Sequence, residues 1–321
     1  VDNDGDGVIT TFDGVDPNRN WAFRWGYDNE GSSPNPASNT YRGTAPNSEP
    51  ETQAMDAFVR REKPEFFVNY HSAAELLLYG NGWQVSTPEP DDHLHVALLG
   101  DDVNPAVPGY DPDPSAELYT TNGETTDHLS NVYGAMAYTP ELDTCEAAED
   151  ILLDDAFGDD FCESEGRSGF EFPDDETLIQ LVFEKNLPLA LAIAESASDP
   201  ANPVSSLGLE APDFALDSFD VSYSRNQVVA AEMKNSFRNR RLRYTINGGP
   251  EQTSTVRRWQ GGEVYGDTGT TYYSEYRARV RGTRAGDEVT VWFTATDDGE
   301  PVSSDSFTYT VAIENPADVL L

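Results

Sequence analysis

Beyond the stretch ESASDPANPVSSLGLEAPD (residues 195–213) the hydrophobic period of this chain changes to two. In YYSEYRARVRG, Tyr276, Ala278 and Val280 fall on one side of an extended chain, and Arg277, Arg279 and Arg281 on the other. EVTVWFTATDDG and SFTYTVAI alternate likewise, and INGG and DDGE are turn signals between such runs. About seven strands of this kind point to an all-β sandwich. The outward Arg row reads either as a binding site for an anionic ligand or as a solvated face compensating neighbouring acids.

Before residue 195 the pattern is different. SEPETQAMDAFVRRE carries acids in its first turn and bases at its end, which predicts a helix near 50–63. KPEFFVNYHSAAELLLYG (63–80) opens on a short buried strand of Phe66, Phe67, Val68 and Tyr70 and returns to an apolar run at Leu76, Leu77 and Leu78. A helix near 90–104 follows an acidic loop. NVYGAMAYTPEL predicts a buried strand ending near Glu141, and DDETLIQLVFEKNLPLALAIAESA a long helix that Pro188 should kink. This is α/β organisation, with expected domains at 1–199 and 200–321. No stretch reads as a membrane span.

Charge constrains the setting. The chain has 321 residues and a net charge of −38, and only 3 of its 20 basic residues are Lys. Fifteen Phe, 15 Tyr and 5 Trp support a packed core rather than disorder. A hydrated acidic surface of this size fits a protein from a high-salt habitat, where self-repulsion is screened. Nucleic acid is excluded as a main partner, because phosphate would be repelled. Cys145 and Cys162, in an acidic loop with no His nearby, fit a disulfide better than a metal pair, with two unrelated thiols as the alternative. A bridge would place the protein outside the cytoplasm, secreted and free or held at the cell surface.

Two motifs carry chemistry. DNDGDGVITTFD sets Asp2, Asp4, Asp6, Gly7 and Asp13 at the spacing of a Ca2+ loop, with a backbone carbonyl from Val8. The twelfth position is Asp rather than Glu, and an acid-rich loop without metal is the other reading. In DGVDPNRNW an Arg lies between two Asn. A guanidinium fork beside an amide donor is suited to gripping a carboxylate.

Asn18 and Arg19 are followed in order by SNTYRGTAPNSEPET, by His71-Ser72 after a strand, by Tyr119 in ELYTTNGETTDH and by Glu141 in AYTPELD. Over residues 14–196 this order and spacing resembles the M14 family of zinc carboxypeptidases, and most nearly the carboxypeptidase T type. The resemblance implies a mixed sheet flanked by helices, and hydrolysis of the C-terminal peptide bond of peptides and proteins. It implies a Zn2+ ligand at His71, a carboxylate grip at Asn18 and Arg19, a mobile cover at Tyr119 and a catalytic base at Glu141. Glu124, with Thr126, corresponds to the pocket for the terminal side chain, and Phe170 to a pocket-lining segment.

Some features depart from the family pattern. Ala73 stands where the family commonly has an aromatic, and the loop from Glu141 to Gly166 is long. None of His71, His93, His95 and His128 is followed by Glu three residues on, so the family's His-x-x-Glu ligands are missing. The chain opens at Val1 inside an acidic loop and reads as a fragment without the N-terminal strands, expected to hold zinc poorly and to hydrolyse nothing as it stands. The alternative is a non-catalytic peptide- or calcium-binding member of the same fold.

Overall fold

The computed structural model describes Gly7 and residues 13–84, 91–151, 172–173, 175–260 and 272–312. The chain forms two compact units that part between Ala211 and Pro212, later in the linker stretch than the expected 199/200 boundary. The intervening residues are tied to the first unit: Ser196 Oγ accepts from Val204 N at 2.8 Å.

The first unit contains α1 (Pro50–Glu62), β1 (Phe66–Val68), β2 (His71–Ser72), β3 (Leu76–Tyr79), α2 (Asp92–Leu99), β4 (Gly100–Asp101) and β5 (Asn104–Pro105). It continues through β6 (Asp111–Pro114), α3 (Ser115–Leu118), α4 (Thr125–His128), β7 (Met136–Leu142), α5 (Cys145–Ile151) and α6 (Glu176–Ser196). Its mixed sheet has the order β1-β7-β3-β6, with β2 also on β7. β1 and β2 run parallel to β7, whereas β3 runs antiparallel to it.

Local chemistry explains the helix boundaries. Pro50 starts α1, Glu51 lies in its first turn and Arg60 and Arg61 in its last, each complementing the helix dipole. Val59 of α1 packs with Trp21, Leu129 and Ala137 in one core cluster. Asp175 caps α6, accepting from the Thr177 amide at 2.8 Å. α6 runs through Pro188 without interruption and turns Leu178, Val182, Asn186, Leu189, Ala192, Ile193 and Ser196 inward, a stripe with helical spacing.

α6 meets the length and composition of a membrane span, as one helix of a folded unit often does, and there is no clear span among the described residues. One expectation needs correction. The expected strand from Phe66 to Tyr70 breaks in two. Asn69 N still donates to Tyr138 O at 2.8 Å, but Tyr70 turns outward and is 46% exposed. The break between β1 and β2 sets His71 at the carboxyl end of the sheet.

The second unit contains β8 (Phe214–Leu216), β9 (Val221–Ser222), β10 (Val228–Lys234), β11 (Arg238–Ile246), β12 (Gln252–Thr255), β13 (Arg257–Arg258), β14 (Tyr273–Arg279), β15 (Glu288–Asp297), β16 (Glu300–Ser303) and β17 (Phe307–Val311). They form one sheet ordered β13-β14-β10-β8 and another ordered β12-β11-β15-β17-β9, with β16 on β15. Inward residues of both sheets, among them Val229, Met233, Leu242, Tyr276, Val291 and Phe293, share one apolar core. The two turn signals are hairpins: Asn247 and Gly248 lie between β11 and β12, Asp298 and Gly299 between β15 and β16, and all four have positive φ.

Candidate active site

Arg19 sits on a short 3-10 turn, Pro17–Arg19, capped by Asp16, whose carboxylate accepts from Asn18 N at 2.8 Å. Its side chain is buried. Nε donates to Gly31 O at 2.5 Å, Nη1 to Asn18 O at 2.7 Å and Nη2 to the Tyr119 hydroxyl at 2.9 Å. The nearest paired carboxylate oxygen, on Asp16, lies 3.9 Å from Nε. The hydrogen-bond partners of this buried guanidinium are thus all neutral oxygens, and the Asp16 carboxylate stands at ion-pair distance only.

The loop carrying Tyr119 is clamped against this turn. Trp21 N donates to Gly123 O at 2.9 Å. A Cβ on Gly123 would come within 2.5 Å of Arg19 O, and φ there is +74°, so the close approach requires glycine. Asn18 Oδ1 accepts from both the amide and the hydroxyl of Thr125, at 2.9 and 2.8 Å. That leaves the Asn18 NH2 as its donor end. Tyr119 itself is 48% exposed, the rim of the site.

Below the rim, Glu124 is buried, and its Oε1 has no hydrogen-bond partner. Desolvation, then the charge of Asp127, push its carboxyl well above the usual range, with the charge of Arg19 opposing. Thr126 is buried and shares a hydrogen bond with Thr139 of β7 at 2.8 Å. That bond ties the Arg19 region to the strand that carries Glu141.

Glu141 and His71 are partners in the parallel β2–β7 register. His71 Nδ1 lies 3.3 Å from Glu141 Oε1, and Asn69 Nδ2 lies 2.9 Å from His71 Nε2. The imidazole thus stands between the Asn69 amide and the Glu141 carboxylate, one ring nitrogen toward each. A catalytic zinc site uses three protein ligands, whereas His71 supplies one imidazole here. The only trio of candidate ligands among the described residues is Asp102, Asp111 and Asp113, all carboxylates. The described donors thus do not complete a zinc site at His71.

Other expected residues stand apart from this cluster. Cys145 is buried and disulfide-bonded, and Cys162 lies outside the described residues. Asp2, Asp4, Asp6 and Val8 of the expected calcium loop lie outside them too, as does Phe170; of that loop Gly7 and Asp13 are described.

Several residues that build the site escaped the sequence reading. Fully buried Asp127 accepts from three consecutive amides, Asn81, Gly82 and Trp83, at 2.8, 2.9 and 3.0 Å. Asn20, the second Asn of the NRN run, donates to Arg42 O and Ser48 Oγ and accepts from Glu49 N, fastening the turn to the start of α1. His128 accepts from Phe23 N through Nδ1 and is bonded to Asp56 through Nε2, while desolvation lowers its pKa against the pull of Asp56. Acids and amides within a motif's flanks were the available signal.

The family model described as zinc carboxypeptidase, peptidase M14, matches residues 3–166. The chain belongs to the zinc carboxypeptidase family. It is 32% identical over 139 residues to a metallocarboxypeptidase A-like protein of Trichophyton verrucosum, covering 40% of this chain and 32% of that relative. It is 43% identical over 82 residues to carboxypeptidase A1 of Sus scrofa, covering 25% and 19% respectively. The chain thus spans 32% or less of the length of these curated relatives. Among solved structures, thrombin activatable fibrinolysis inhibitor aligns over 57% of this chain and 42% of its own, with 24% identity and a TM-score of 0.43. A family 56 carbohydrate-binding module, a β-1,3-glucan binding domain, aligns over 30% of this chain and 99% of its own, with 20% identity and a TM-score of 0.22.

Proposed function

We propose that this chain belongs to a metallocarboxypeptidase of the carboxypeptidase T type and supplies the part that holds the C-terminal end of a peptide. The buried Arg19, hydrogen-bonded only to neutral oxygens, carries this reading. The terminal carboxylate displaces the Tyr119 hydroxyl from Nη2 and takes a second donor from the Asn18 amide. Tyr119, on the rim, then closes over it. Glu124 meets the terminal side chain, and Glu141 is the base for the attacking water. Family membership implies Zn2+, with His71 as a ligand. One imidazole holds zinc weakly, so carboxylate binding, rather than turnover, is the decisive readout for the chain itself.

Titration calorimetry on a short peptide with a free C-terminus, against the same peptide amidated, tests this reading. Charge-assisted hydrogen bonds of about 1.5–3 kcal/mol predict a preference for the free carboxylate of roughly ten- to hundredfold. Arg19→Gln should abolish the preference. Equal binding of the two peptides would remove the proposal. Where added zinc gives hydrolysis, Glu141→Gln should lower it by roughly 10²- to 10⁴-fold, as loss of a general base does. The second reading, a non-catalytic peptide-binding member of the fold, predicts the same selective binding, so hydrolysis that depends on added zinc and on Glu141 would decide for the enzyme.

The disulfide state of Cys145 and the net charge of −38 support an extracellular, high-salt setting. Lowering salt from about 1 M to about 0.1 M lengthens screening from about 3 to 10 Å. The thermal midpoint should fall as repulsion among the acids returns. A midpoint that is flat or rises on dilution contradicts the salt adaptation.

A further inference from the structure

The outward Arg row of β14 does not face a compensating acidic surface. Arg277 and Arg279 of β14, Arg281 just after it, and Arg257 and Arg258 of β13 line one open groove of about 920 Å³. Arg257 and Arg277 are direct partners across the β13–β14 pair. Like charges placed directly opposite in an antiparallel pair are destabilising. Two acids share the outer face: Glu275, bonded to Arg277, and Glu232, its partner on β10. Arg257, Arg258, Arg279 and Arg281 have no carboxylate partner among the described residues. In a chain with 58 acidic and 20 basic residues, such a concentration of unpaired guanidinium is not explained by neutralisation.

The groove also contains an aromatic surface. Trp259 is 44% exposed, with the Arg277 guanidinium 3.7 Å from its ring centroid. Its backbone N–H is fixed to Glu275 O at 2.8 Å, which holds the indole beside the Arg row. The wall also carries hydroxyls and an amide from Thr253, Ser254, Thr255 and Gln260, beside Val228, Tyr244 and Ala278.

We propose that this groove binds an anionic polysaccharide, its carboxylate or sulfate groups held by Arg257, Arg279 and Arg281 and a sugar ring lying against Trp259. A guanidinium fork takes either oxyanion bidentately. The apolar face of a pyranose ring suits an indole, and its hydroxyls suit the Thr, Ser and Gln wall. An extended acidic peptide would use the guanidiniums and leave the Trp platform and hydroxyl wall idle.

Affinity electrophoresis of the full chain at about 0.1 M salt, where exposed charges still act over about 10 Å, tests the proposal with four probes: dextran sulfate, polygalacturonate, neutral dextran and poly-glutamate. Dextran sulfate or polygalacturonate, or both, should retard the protein, and which of them does so identifies the oxyanion. Dextran should not retard it, and poly-glutamate should do so more weakly. The double variant Arg257→Gln/Arg279→Gln should weaken retardation roughly tenfold or more. Trp259→Ala, which leaves the charge unchanged, should also weaken it. Arg225→Gln/Arg284→Gln, the same loss of two charges outside the groove, should change it less than about twofold. Equal retardation by dextran, an unaffected groove variant, or equal loss with Arg225→Gln/Arg284→Gln overturns the site. Poly-glutamate bound as tightly as the glycans, or Trp259→Ala without effect, overturns the saccharide ligand.

Discussion

Replacing Asp127 with alanine should cost the first unit about 3–5 kcal/mol of unfolding free energy, the usual penalty for breaking a buried charged group away from its partners. The carboxylate is fully buried and accepts from the amides of Asn81, Gly82 and Trp83. Alanine leaves three donors facing an apolar gap. A cost of this size is a large part of the about 5–15 kcal/mol that holds a typical domain together. The measurement is urea unfolding followed by tryptophan fluorescence, with the second unit's transition as an internal control. Asp127→Asn, which keeps the shape and one acceptor oxygen, should fall between wild type and alanine. A loss below about 1 kcal/mol for alanine would mean that the 81–83 segment is held by something else.

The second large effect concerns Glu124 and depends on pH. Its folded pKa is raised above 4.5 by desolvation and then by Asp127, so the native state keeps its proton where the unfolded chain has lost it. Folding is therefore favoured on the acid side, and that contribution is lost as pH rises from about 4.5 through the folded value. Glu124→Gln has no proton to lose. At pH 8 it should be more stable than wild type by on the order of 3 kcal/mol, the scale of burying a poorly compensated charge. Near pH 4 the two proteins should unfold together. A stability difference independent of pH would show that the carboxyl of Glu124 titrates alike in the native and unfolded states, and a difference of opposite slope that it is ionised and paired when folded. The same titration bears on selectivity. A cationic terminal side chain would draw Glu124 into its ionised form, so preference for basic over apolar termini should rise with pH in the wild type and stay flat in Glu124→Gln.

What the sequence made legible follows from how local each signal is. Pro50, Glu51, Arg60 and Arg61 bracket α1 by themselves, and the Asn-Gly and Asp-Gly turns fix two hairpins through positive φ alone. The alternation of Tyr276, Ala278 and Val280 against Arg277 and Arg279 is a property of one strand. The split between β1 and β2 was not legible, because it depends on pairing with β7, a strand some 70 residues away in sequence. The structural role of Asn20 is equally hidden: the sequence offers two Asn around Arg19, and only the fold shows that one points into the site and the other fastens α1. Family likeness singled out Glu124, whereas its burial beside Asp127 required coordinates.

His71 and Glu141 sit opposite one another in a parallel ladder, so backbone hydrogen bonds between β2 and β7 fix their spacing. The connections that leave this end of the sheet do not set that distance. Changes of side chain around the pair therefore leave the imidazole and the carboxylate in register as long as the two backbones stay hydrogen-bonded. A one-residue slip between β2 and β7, by contrast, would send the two side chains to opposite faces of the sheet, and no rotamer could recover the pair.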